Sequence, residues 1–128
     1  NLEGGIYDLA LAERFGPLDI EAKNYRTWAR YYLTGASFWE VDWAQVVNYF
    51  SQFYTSLPNL RDGSNMTATE RYRLALIGYG DKLSVDGSWC DAATQYQEAL
   101  KILPDELLQQ TADQAVEKCE KMEKNNDD

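Results

Sequence analysis

The residues of this 128-residue chain best suited to specific chemistry are its two cysteines, Cys90 and Cys119. They lie equally far on either side of the Pro104–Asp105 bond, within the break "LPD". If the chain reverses there, an antiparallel helix pair sets the two thiols level. Helix axes about 8–10 Å apart allow inward-facing Cα atoms about 5–6 Å apart, which is within disulfide reach. A bridge would contribute about 3 kcal/mol by restricting the unfolded chain. It would also imply an oxidising compartment: periplasmic, cell-surface or extracellular. The alternative is two inert thiols in a core, compatible with the cytoplasm. A zinc site resting on two cysteines is not expected, because histidine is absent.

The same absence removes the commonest general base and forbids any Ser–His or Cys–His nucleophile within the chain. Glu40, Asp42 and Asp62 could suggest carboxylate chemistry; helix capping and loop solvation account for them better. Gly78 and Gly80 flank Tyr79 inside a helical stretch, where close helix packing is a better explanation than a phosphate loop. Asn65-Met66-Thr67 matches a glycosylation acceptor, but Thr67 also stands where a helix cap is needed. The expectation is a protein that is not an enzyme, with no catalytic residue, no metal and no cofactor.

Formal net charge is −9 at pH 7, from 12 Lys plus Arg against 21 Asp plus Glu. That sign disfavours nucleic acid and anionic membrane surfaces and leaves basic segments as the easier partners. No apolar run approaches the roughly 20 residues that span a bilayer, so direct membrane insertion is not expected.

These residues must be positioned by helices. "FGP", "LPNLRDGSN", "DG" and "LPD" read as breaks. Between them the apolar spacing is helical: Trp43, Val46, Val47, Phe50, Phe53, Tyr54 and Leu57 follow i, i+3, i+4, i+7. Six helices are expected, near residues 5–15, 18–38, 42–57, 67–84, 88–103 and 105–123. Asp19, Asp42 and Ser88 are expected to cap three of them. Thr67 and Glu70 have the spacing of a capping box. No segment alternates as a strand would, so the fold is expected to be all-α.

Trp43 and Trp89 are separated by the same distance along the chain as Pro58 and Pro104. The segments between them align without a gap, setting Phe50 against Tyr96 and Val46 against Ala92. The second copy carries Leu76, Tyr79, Gly80, Leu83, Gly87, Trp89, Ala92, Tyr96, Ala99, Leu100 and Pro104. This series resembles the tetratricopeptide (TPR) repeat over a whole unit of about 34 residues. The resemblance implies a single domain over residues 1–128, built as a TPR-like stack of antiparallel helix pairs, an α-α superhelix. It comprises a degenerate repeat over 25–60, a clear repeat over 73–106 and a capping helix over 105–123. In the degenerate copy, Val46 and Phe53 replace small residues, and Gly35 fits only if the turn gains one residue.

By register, Gly80 and Ala92 would let two helices approach, with Tyr96 and Ala99 packing towards the next. The concave groove of such stacks would fall at Ala29, Tyr32, Ala36 and Trp39, and at Ile77, Asp81 and Ser84. Exposed aromatics there would anchor an extended protein or peptide segment, and Asp81 would pair with its Lys or Arg. The implied function is a non-enzymatic protein- or peptide-binding module, part of a larger extracytoplasmic assembly. Two alternatives stay open: a small-molecule or glycan pocket lined by Trp39 and Tyr32, and a structural spacer in a longer repeat array.

Overall fold

The computed structural model describes residues 2–126. Six α-helices follow in order: α1 (Leu2–Glu13), α2 (Ile20–Ala36), α3 (Trp43–Ser51), α4 (Ala68–Val85), α5 (Trp89–Ile102) and α6 (Glu106–Asn126). Among the described residues there is no strand, only an isolated bridge between Arg61 and Thr67. No helix among them is long and apolar enough to cross a membrane. The chain divides into two compact units, and the division, between Tyr72 and Arg73, falls inside α4.

Local sequence chemistry sets most helix starts. The amide of Ala22 donates to Asp19 Oδ1 at 2.7 Å, and that of Gln45 to Asp42 Oδ1 at 3.3 Å. The Glu70 amide donates to Thr67 Oγ1 at 3.1 Å, and the Leu108 amide to Asp105 Oδ2 at 2.8 Å. Each bond satisfies an amide that the first helical turn leaves without a backbone acceptor. Ser88 stands at the cap position of α5 but makes no side-chain cap bond, contrary to the expectation for it.

The helix expected over 42–57 stops at Ser51. Ser51 Oγ and Gln52 Nε2 both turn back onto the Asn48 carbonyl, at 2.9 and 3.1 Å. Side-chain bonds of this kind compete with the helical ladder. The chain continues as turns in which Tyr54 and Leu57 still take i→i−4 bonds while Phe53 and Ser56 take i→i−3 bonds. Phe53 is thereby carried fully inside.

In the first unit α2 packs against α1 and α3. Its interior holds Leu2, Ala29, Tyr32, Val46, Phe50 and Phe53. Gly35 is required there: a Cβ at that position would lie 2.8 Å from the Phe50 ring and from Tyr49 Cβ. In the second unit α5 packs on α6, with Ala92, Ala93, Tyr96, Ala99, Leu108, Ala112 and Ala115 inside. Small residues dominate this list, so the backbones can approach closely. The last helix, expected over 105–123, runs on to Asn126.

Candidate functional site

The most polar buried feature is built around Arg71, on the first part of α4, which is 7% exposed. Arg71 shares a helical stripe with Ala68 and Ala75, and that stripe faces inwards. Its Nε donates to the Tyr32 hydroxyl at 2.7 Å, and the hydroxyl in turn donates to the Met66 carbonyl. Its Nη2 donates to Asp62 Oδ2 at 3.1 Å and to Ser64 Oγ at 3.0 Å. The guanidinium carbon sits 4.8 Å from the Trp39 ring centre and 5.4 Å from that of Tyr32. Asp62 also accepts from the Ser64 amide at 3.0 Å and from its hydroxyl.

Burial pushes the Asp62 carboxyl up, but the Ser64 hydroxyl and amide, followed by the Arg71 charge, outweigh it. The net result lies below the ordinary range. Burial raises Tyr32 above its ordinary value against the opposing pull of Arg71. The loop over 58–67 is therefore clamped to the helix that follows it. Backbone bonds from Ala68 to the Leu60 carbonyl (2.7 Å) and from Thr69 to Pro58 (3.1 Å) complete the clamp.

These contacts correct the expected groove. Tyr32 and Ala29 are fully buried, so neither can anchor a ligand from the surface. Trp39 is half-buried, held edge-on to Trp43 at 4.9 Å with Arg71 over its face. The space between Tyr32 and Trp39 that an aromatic pocket would need is taken by the Arg71 guanidinium. Ala36, Ile77 and Ser84 are half-buried, and Asp81 is exposed. Asp81 Oδ1 accepts from the Tyr96 hydroxyl at 2.6 Å, and Ser84 Oγ lies 3.1 Å from the same hydroxyl. Burial, with the Asp81 carboxylate second, pushes the Tyr96 phenol up to about 12. Asp62, expected to solvate a loop, is instead mostly buried and paired.

Cys90 and Cys119 form a disulfide, with Cα atoms 4.7 Å apart. It joins the first turn of α5 to the later half of α6 and holds the two helices antiparallel. Glu123 Oε1 lies 3.9 Å from Cys90 Sγ and 3.7 Å from Cys119 Sγ.

Two open grooves lie along α2. A groove of about 580 Å³ runs between α1 and the start of α2, lined by Leu9, Ala12, Ala22 and Tyr25 among others. Asp8, Asp19 and Glu21 also line it. A second, of about 570 Å³, shares Glu21 and Tyr25 and continues past Ile20, Trp28 and Leu57. Ile20 is 78% exposed beside it. The sequence marks Asp19 only as a helix cap; the one available signal for a groove is three carboxylates, Asp8, Asp19 and Glu21, near the apolar residues of α1. Comparison with protein-family models, with curated proteins and with solved structures finds no match.

Proposed function

We propose that the chain is a TPR-like stack of helix pairs and works as a non-enzymatic module that binds a protein or peptide segment. The stack reading is supported by Gly80 beneath the Tyr96 ring and by the buried Ala92 and Ala99 of α5. The disulfide supports residence in an oxidising, extracytoplasmic compartment.

The observation that carries the binding reading is the pair of adjoining grooves that share Tyr25 and Glu21. Their lining is largely apolar and aromatic, and Asp8, Asp19 and Glu21 make it acidic. With a formal charge of −9 behind them, they suit a segment that alternates apolar side chains with Lys or Arg. Apolar anchors give such a complex its affinity, and the charges give it orientation and rate.

The test is selection of random displayed peptides on the immobilised, oxidised chain, followed by calorimetry. Enriched ligands should combine Leu, Ile or Phe with Lys or Arg. Asp8→Lys with Glu21→Lys should weaken them about tenfold or more, about 1.4 kcal/mol. Ala22→Arg, which fills part of the groove, should abolish binding. Ligands that bind the charge-reversed chain undiminished would place the surface elsewhere.

A further inference from the structure

We propose that Cys90, Cys119 and Glu123, once the bridge is reduced, form a binding site for one thiophilic divalent cation of the zinc or cadmium kind. This goes beyond the groove reading and does not depend on it; two cysteines alone are not expected to hold zinc without a histidine, and Glu123 supplies the third ligand that changes that expectation. The three ligand atoms already lie within 4.8 Å of one another. Neither bridged sulfur carries a proton, so the approaches of Glu123 Oε1 at 3.7 and 3.9 Å are not hydrogen bonds. They are close to the sulfur–oxygen edge of a tetrahedral zinc site, about 3.6 Å for bonds of about 2.3 Å to sulfur and 2.1 Å to oxygen.

The scaffold suits the role. Cys119 and Glu123 stand one helical turn apart on α6, so both project from the same face. Cys90 sits in the first turn of α5, where free amides favour the thiolate that a metal requires. Both cysteines are half-buried and Glu123 is exposed, which leaves a path for the ion. Cα atoms 4.7 Å apart let side-chain rotation spread the sulfurs to the roughly 3.8 Å that two bonds to one zinc ion need.

The chemistry balances simply. A small dithiol gives its two hydrogens to the two sulfurs and closes into its own disulfide. The cation then displaces the two thiol protons to solvent, and Glu123 adds its carboxylate oxygen. Bridge and metal are mutually exclusive, so the site exists only before the cysteines are joined or after they are reduced.

The experiment reduces the chain with a dithiol, removes the reductant under inert gas and titrates it with cadmium chloride alone. Thiolate-to-cadmium charge-transfer absorbance and circular dichroism are followed together. One cadmium ion per chain should bind, zinc should compete for the site only in large excess, and the oxidised chain should give no band. Glu123→Ala should keep its helicity and weaken binding about tenfold or more; Cys90→Ser should abolish the band. Equal affinity in Glu123→Ala, or a reduced chain no better than the oxidised one, overturns the site.

Discussion

Gly80 lies so close beneath Tyr96 that a Cβ built on it would sit 2.6 Å from the ring carbon Cε1. Real atoms do not share that space, and Tyr96 cannot swing aside, because its hydroxyl is held by Asp81 and Ser84. Gly80→Ala should therefore cost about 1–3 kcal/mol, the usual penalty of overpacking. Chemical denaturation measures it. Gly63→Ala, where an added Cβ meets nothing within 4 Å, is the comparison and should not destabilise. Equal stabilities for the two variants would mean that the ring does not rest on this glycine.

Arg71 and Asp62 are unequal partners. Arg71 projects from a helix with its side chain 9% exposed, whereas Asp62, 15% exposed, sits on the loop that precedes that helix. Asp62→Ala leaves a buried guanidinium without its counter-charge and should cost about 3 kcal/mol. Arg71→Met replaces the charge with an apolar chain of similar length and should cost less. Both should speed amide exchange over 58–67. The reverse order of stabilities would show that the carboxylate, not the arginine, is the trapped charge.

The legible parts of the fold were those governed by rules of short reach. Asp19, Asp42 and Thr67 cap because a side-chain oxygen three residues ahead of a free amide is a local geometric fact. The cysteine pairing followed from equal distances to one chain reversal. Tyr32 belongs to the core and not to a groove, because helical period marks an apolar face without saying whether that face meets core or solvent. Arg71 is hidden in the sequence because a charge reads as surface, although its spacing from Ala68 and Ala75 puts it on the buried stripe. The end of α3 was hidden because Phe53, Tyr54 and Leu57 keep the helical period after the backbone has left it.

Acid should loosen the loop over 58–67 before it unfolds the rest of the first unit. The folded pKa of Asp62 is lowered, so its contribution is present above the unfolded value of about 3.9 and is lost as pH falls through the folded value. Hydrogen exchange at a series of pH values below about 4 should show 58–67 opening first. Asp62→Asn, uncharged throughout, should lack that pH-dependent step. An identical acid profile for the two proteins would remove Asp62 as its source.

Replacing Cys90 and Cys119 with serine should lower stability by about 3 kcal/mol, because the bridge spans a separation of 29 residues. Loss of the link should fray the junction of α5 and α6 at the Cys90 end, away from the chain reversal. Denaturation of the oxidised wild type, the reduced wild type and the double variant checks this. The last two should agree when no divalent metal is present. A double variant as stable as the oxidised protein would mean that the native antiparallel pair needs no covalent tie.

Tyr96 should be the last tyrosine to ionise. Its phenol is pushed up to about 12, above the unfolded value of about 10. A raised folded pKa stabilises fully below the unfolded value, and that stabilisation is lost as pH rises through the folded one. Melting temperature should thus fall between about pH 10 and pH 12 by more in the wild type than in Tyr96→Phe. Asp81→Asn removes the carboxylate that both accepts the phenol proton and repels a phenolate, so Tyr96 should then titrate earlier. Phenolate absorbance followed in wild type, Tyr96→Phe and Asp81→Asn separates the two effects. If Asp81→Asn leaves the late-titrating tyrosine unmoved, burial alone sets its pKa, and the 2.6 Å contact has no part in holding the proton.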